Sequence, residues 1–210
     1  MADDVKDQIK LAQQLAMTPQ LQLAIRLLST PSGDLNAMLD DLHGLEPTTG
    51  HVDPLLEASD EERAVAAEEG TPVWEFELPR PPGFTAGADV WIHGDPPIAR
   101  ACREALPHMR LAEHASPDDA QKAAWFIRGL RQRAKTYERL VGALLASRPN
   151  LATIEDPQHF IPVPLRELAE ATGLHESTIT RAAAGCRIET PPHHVFLLTS
   201  SKHGIGIARE

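Results

Sequence analysis

A mainly α-helical chain is predicted by three features of the sequence. Apolar residues recur at spacings of three and four over several stretches, eighteen prolines fall between those stretches, and only 4% of the residues are aromatic against 42% hydrophobic. A deep sheet of β-branched and aromatic side chains is therefore not expected, and all-β folds are set aside. At 210 residues the chain has room for one ordinary domain or two small ones.

The helical spacing begins near Asp7, with Ile9, Ala12, Leu15 and Ala16, and resumes with Leu21, Ala24, Ile25 and Leu28. Between the two sets stands Met17-Thr18-Pro19-Gln20. Proline forces Thr18 into extended backbone and suits the first position of a helix, while the Thr18 hydroxyl is placed to accept from the freed N–H groups. Two helices meeting at a corner are predicted. A third short repeat, Leu35, Met38, Leu39 and Leu42, follows the break at Pro31-Ser32-Gly33. None of the three has enough apolar surface to stand alone.

From His51 to Pro82 there are nine acids against Arg63 and Arg80, with five prolines. Such a composition reads as a flexible acidic linker. Beyond it, Ala88 to Ile92 is a possible short strand, and a helix is expected from about Ile98 to Leu106. The longest helical stretch runs from Pro117 to Ser147, with Asp118 and Asp119 in its first turn, as the helix dipole favours. Phe126, Ile127, Leu130, Tyr137, Leu140, Val141 and Leu144 keep largely to one side of it, and Arg128, Arg131, Arg133, Lys135 and Arg139 are expected on the other.

Pro164 to Ala183 has the form of a helix-turn-helix. Leu165, Leu168 and Ala169 bury the first helix, Gly173 supplies a left-handed turn, and Leu174, Ile179 and Ala182 or Ala183 bury the second. In such units the second helix lies in the major groove, which here exposes Glu176, Ser177, Thr178, Thr180 and Arg181, with Arg166 on the first helix as a further DNA contact. Arg181 suits a guanine and Glu176 a cytosine amine, whereas the hydroxyls suit either polarity or a phosphate.

The charge is divided. Residues 1–120 hold 22 acids and 8 bases, residues 121–210 hold 8 acids and 12 bases, and the net value for the chain is −10. A mildly basic C-terminal part fits phosphate contact while the acidic part stays away or imitates nucleic acid. Nothing in the sequence resembles a catalytic constellation. It has no phosphate-binding glycine loop and no HExxH, and His193 and His194 lack a third ligand nearby, so neither an enzyme nor a metal or other cofactor is expected. Cys102 and Cys186 stand far apart, which fits no disulfide framework. The acidic N-terminus is unlike a signal peptide and no run approaches the ~18 apolar residues of a membrane span. A cytoplasmic protein without a membrane partner is expected.

Two motifs carry a resemblance. Gln14-Leu15-Ala16-Met17-Thr18-Pro19-Gln20-Leu21 through Ile25 and Leu28 resembles the activator-responsive region of bacterial RNA polymerase sigma-54 factors, and Leu174 to Arg181 resembles their helix-turn-helix signature. Ala124 to Tyr137 is similar to a long helix of that family's core-binding region, and Thr190-Pro191 with Val195 to Leu198 resembles the segment after the helix-turn-helix.

The resemblance implies a division into an activator-responsive helical region (1–45), an acidic Pro-rich linker (46–88), a shortened core-polymerase-binding region (89–160) and a helix-turn-helix region with a C-terminal tail (161–210). It implies core RNA polymerase, promoter DNA with a downstream GC element, and an ATP-driven activator as partners. Trp125, Arg128, Arg131, Arg133 and Lys135 are the expected polymerase contacts. Gln14, Leu15, Met17, Thr18, Pro19, Gln20, Leu21, Ile25 and Leu28 are the expected activator-responsive residues.

The expected protein is a shortened member of the family without the C-terminal domain that reads the upstream element, or a piece of a longer reading frame. Its expected function is transcription initiation, with a non-initiating competitor that sequesters polymerase or activator as the alternative.

Overall fold

The computed structural model describes residues 18–39, 45–47, 87–102, 109–111 and 116–209. The first expected helix, Gln14, Leu15, Met17 and most of the acidic linker lie outside the described residues.

Helix α1, Pro19–Ser29, starts where its sequence requires. Thr18 is extended, its hydroxyl accepts from the Leu21 N–H at 3.3 Å, and Pro19 occupies the first turn. A 3₁₀ turn, Ser32–Asp34, leads into α2, Leu35–Leu39. Strand β1, Leu45–Pro47, pairs antiparallel with β4, Met109–Leu111.

The 31-residue helix α3, Pro117–Ser147, is capped by Ser116, whose hydroxyl accepts from the Asp119 N–H at 3.2 Å. Two 3₁₀ turns, Pro149–Thr153 and Pro157–His159, connect it to α4, Leu165–Thr172, and α5, Glu176–Gly185.

The main departure from the expected fold is a five-stranded sheet in the order β3-β2-β5-β6-β7. It is built from β2 (Val90–His93), β3 (Ile98–Ala101), β5 (Arg187–Thr190), β6 (His194–Ser201) and β7 (Gly204–Arg209). The chain thus combines prominent helices with a sheet, and the expected C-terminal tail is three of its strands. The possible strand at 88–92 is present as β2. The helix expected from Ile98 is instead the edge strand β3, antiparallel to β2 with His93 opposite Ile98 and Val90 opposite Ala101. Ile98-Ala99-Arg100-Ala101 alternates exposed and buried positions, and pairing with β2 outweighs its local helical preference.

Strand β2 runs parallel to β5, with Val90 opposite Ile188, and so ties the segment ahead of the long helix to the strand after α5. Val90, Ile92, Ile188, Phe196, Leu198, Ile205 and Ile207 pack against Leu140, Val141 and Leu144 of α3 and against Leu168, Ile179, Ala182 and Ala183 of α4 and α5. At the far end of the sheet, Val163 and Ile205 exchange two backbone hydrogen bonds of 2.9 Å. Gly204, at φ 119°, passes so close to the Val163–Pro164 backbone that a Cβ would collide with it. The β6–β7 hairpin therefore fixes the entry into α4. A second cluster joins Leu27 of α1 and Leu35 and Met38 to Phe126 and Leu130 of α3.

Candidate nucleic-acid interface

The helix-turn-helix is closed by local chemistry. Gly173 takes φ 66° and ψ 16° and its N–H returns to the Ala169 carbonyl at 2.8 Å, as a left-handed helix end requires. The Thr172 hydroxyl donates to the Leu168 carbonyl at 2.6 Å and accepts from the Leu174 N–H at 3.2 Å, which fixes the turn from inside. Helix α5 is then capped by His175, whose Nδ1 accepts from the Ser177 N–H at 3.2 Å. Ile179, Ala182 and Ala183 face the core.

Glu176, Ser177, Thr180, Arg181 and Ala184 share the opposite face at spacings of one, four and five. Glu176, Ser177 and Ala184 are exposed, and Thr178, Thr180 and Arg181 are half-buried. Arg166, on α4, is exposed and pairs with Glu170 at 3.0 Å one turn on. The face that the sequence assigns to bases thus presents Glu176 and Ser177 to solvent, with Thr178, Thr180 and Arg181 half-buried beside them.

Along α3, Arg128 and Arg139 are exposed, and Trp125, Arg131 and Lys135 are half-buried. Arg133 is a correction. It was expected on the basic outer side, but it falls in line with Phe126, Leu130 and Tyr137 on the inner stripe and is only 2% exposed. Its Nη2 stands 2.9 Å from an Asp89 carboxylate oxygen and donates to the Thr30 carbonyl at 3.0 Å, and its guanidinium lies over the Tyr137 ring at 4.4 Å. The other Asp89 oxygen accepts from the Arg187 N–H at 2.9 Å. The ion pair thereby links the strand end ahead of β2, the long helix and the start of β5. Burial costs such a pair several kcal/mol of solvation, which the contacts of Arg133 with Asp89 and Thr30 and of Asp89 with the Arg187 N–H offset in part.

The same site receives the end of α1. The Tyr137 hydroxyl donates to the Leu28 carbonyl at 2.8 Å. Together with Arg133 it satisfies carbonyls at the electronegative end of α1. Two glycines permit the approach. A Cβ on Gly129 would stand 2.5 Å from Leu27 Cδ1, and one on Gly185, the last residue of α5, would stand 2.8 Å from Tyr137 Oη and 3.1 Å from the Ser29 backbone. Leu28 packs on the main core, Leu27 is fully buried, and Leu21 remains 49% exposed. Thr18, Pro19 and Gln20 are exposed and Ile25 is half-buried.

Burial raises the Tyr137 phenol and the Cys186 thiol well above their ordinary values, and Asp89 adds to both shifts. Sequence reading places Tyr137 on the apolar side of the long helix but misses its bond to Leu28, and it misses the roles of Asp89, Gly129 and Gly185 and the capping by His175. Of these last four only His175 left a signal, as a polar residue directly ahead of a helical run.

A helix-turn-helix protein with an N-terminal helix docked against its long helix is the class that this geometry defines. A family profile described as "Sigma-54, DNA binding domain" matches residues 113–200, and one described as "Sigma-54 factor, Activator interacting domain" matches residues 8–42. The chain belongs to the sigma-54 factor family. The long helix and the helix-turn-helix lie together inside the first match.

The chain is 33% identical over 94 residues to the RNA polymerase sigma-54 factor of Azorhizobium caulinodans, covering 45% of this chain and 17% of that one. It is 37% identical over 71 residues to the RNA polymerase sigma-54 factor of Bacillus subtilis, covering 34% and 16%. With that of Azotobacter vinelandii it shares 28% over 114 residues, covering 47% and 22%. The matched part spans about a fifth of the length of these relatives. No described helix is long and apolar enough to cross a membrane.

Proposed function

We propose that the chain acts as a sigma-54-like transcription initiation factor, with α5 in the major groove of a downstream GC promoter element and α1 as the segment on which an ATP-driven activator works. Core RNA polymerase binds through Trp125, Arg128, Arg131 and Lys135 on the outer side of α3. Glu176, Ser177, Thr178, Thr180 and Arg181 contact the duplex, with Arg166 beside them. Thr18, Pro19, Gln20, Leu21 and Ile25 present the activator-responsive surface, and Leu28 anchors it.

The observation that carries this reading is the junction of the α1 end with α3 and with the end of α5. A region matching the activator-interacting profile is held by a few side chains on the element that carries the DNA-facing helix. Burial of Leu27, Leu35 and Met38 is worth about 1.5–3 kcal/mol each and the two hydrogen bonds about 0.5–1.5 kcal/mol each. An ATP-driven machine can peel away such an attachment, and restoring it needs no refolding of the main core.

In vitro transcription with core polymerase, a GC-containing promoter and an activator tests the proposal. Transcription is expected only with activator and ATP. Promoter occupancy without transcripts under the same conditions would support the competitor instead.

A further inference from the structure

The hydroxyl groups on the open face of α5 have already committed their hydrogens. The Ser177 N–H points at His175 Nδ1 across 3.2 Å, a geometry that fits the neutral tautomer with the lone pair on Nδ1 and the ring hydrogen on Nε2. Ser177 Oγ stands 2.8 Å from the same Nδ1. An accepting nitrogen leaves one polarity for this contact: the hydroxyl donates. One turn on, the Thr180 hydroxyl donates to the Glu176 carbonyl at 3.0 Å. A hydroxyl has a single hydrogen, so Ser177 and Thr180 offer only lone pairs outward. The Glu176 carboxylate beside them also accepts, and Arg181, four residues beyond Ser177, supplies donors.

We propose that His175 is a positioning residue that makes Ser177 an acceptor, so that the first turn of α5 reads the exocyclic amine of a cytosine while Arg181 takes a guanine edge. Cytosine is preferred to adenine on physical grounds. It offers the major groove only its N4 amine, whereas adenine sets the N7 lone pair beside its amine, and an acceptor-only cluster leaves that lone pair unmatched. Four residues of helix advance about 6 Å along its axis, so the two groups stand about one turn apart on the same face. The inference rests on α5 entering the major groove, as proposed above.

The test uses the full chain and GC-containing duplexes in which each cytosine in turn is replaced by a pyrimidin-2-one lacking the amine, with affinity followed by fluorescence anisotropy at fixed salt. At one position the replacement is expected to weaken wild-type binding about threefold to tenfold, the size of one hydrogen bond. Ser177→Ala is expected to show that loss on the normal duplex and to become indifferent to the replacement. His175→Ala, which frees the hydroxyl to rotate, is expected to lose the same discrimination while keeping its affinity for random duplex. His175→Asn, whose side-chain oxygen caps the helix and accepts from the hydroxyl, is expected to restore it.

Full discrimination retained by Ser177→Ala or by His175→Ala would overturn the proposal. Arg181→Ala separates the two levels. If it abolishes sequence preference while amine removal has no effect, the polarity assignment alone fails; if wild type and Arg181→Ala bind all duplexes alike, groove reading fails and this inference with it.

Discussion

The Tyr137 hydroxyl donates to the Leu28 carbonyl across 2.8 Å, joining residues 109 positions apart and fastening the N-terminal helix to the long helix. The bond matters because the carbonyl belongs to the last turn of α1, where no further helical N–H arrives to satisfy it. Tyr137→Phe leaves that carbonyl without its donor in a part-buried site. Docking is expected to weaken by about 1–3 kcal/mol, seen as faster hydrogen exchange over residues 25–29 with little change in the sheet. Unaltered exchange there would show that the hydroxyl contributes nothing to the attachment.

Gly185, at the end of α5, stands against both α1 and α3. A methyl group there meets both the Tyr137 hydroxyl and the Ser29 backbone, and the backbone cannot yield cheaply. Gly185→Ala is expected to cost about 1–3 kcal/mol in the intact chain. Removing residues 1–45 takes away the Ser29 obstacle, so the penalty should shrink in that background. Equal penalties by denaturant titration in the two backgrounds would contradict the observed junction.

Arg133 and Asp89 form a buried pair, and removing one partner strands the other. Arg133→Met and Asp89→Leu are each expected to lower stability by about 3–5 kcal/mol, with the double variant recovering part of the loss. The Thr30 carbonyl and the Arg187 N–H still lose partners in the double variant, so recovery is incomplete. Strictly additive losses in urea titrations would refute the pairing.

Alkaline pH should destabilise the fold. Cys186 and Tyr137 have folded values raised above their ordinary 9.0 and 10.0, so both hold their protons in the folded state while the unfolded chain releases them. The stability they contribute is fully present below pH 9.0 and falls as the pH rises beyond it. Cys186→Ala is expected to flatten the first part of that decline in a Tm against pH series. The buried thiol should also resist alkylation in the native state. Rapid native-state modification of Cys186 would place it at the surface.

Arg181→Ala is expected to weaken binding to GC-containing duplexes by about 1–3 kcal/mol and to relax specificity at one base pair. A uniform loss across sequences would make Arg181 a phosphate contact.

Much of this architecture is legible where local chemistry decides the backbone. Thr18-Pro19 and Gly173 sit where their dihedral preferences put them, and the periodicity of α4 and α5 leaves Glu176, Ser177 and Arg181 facing outward. Legibility fails where distant partners decide. Ile98-Ala99-Arg100-Ala101 carries no signal strong enough to separate helix from strand, and only β2 settles it. Strand β5 has only four residues, β7 carries Gly204 and Gly206, and the pairing of β5 with β2 joins Val90 to Ile188, almost a hundred residues apart. Arg133 is a different failure. The helical period already places it with Leu130 and Tyr137, but its charge argues for the surface, and the carboxylate that permits burial comes from a segment with no recognisable motif.

Whether α5 meets DNA while α1 stays docked is read out by hydrogen exchange of the intact chain, with and without a saturating GC-containing duplex and without activator. Exchange is expected to slow across residues 176–181 on adding DNA while residues 25–29 keep their protection, because the duplex meets the outward face of α5 and leaves the α1 junction in place. Unchanged exchange at 176–181 under saturating duplex, or release of 25–29 by DNA alone, would contradict that expectation.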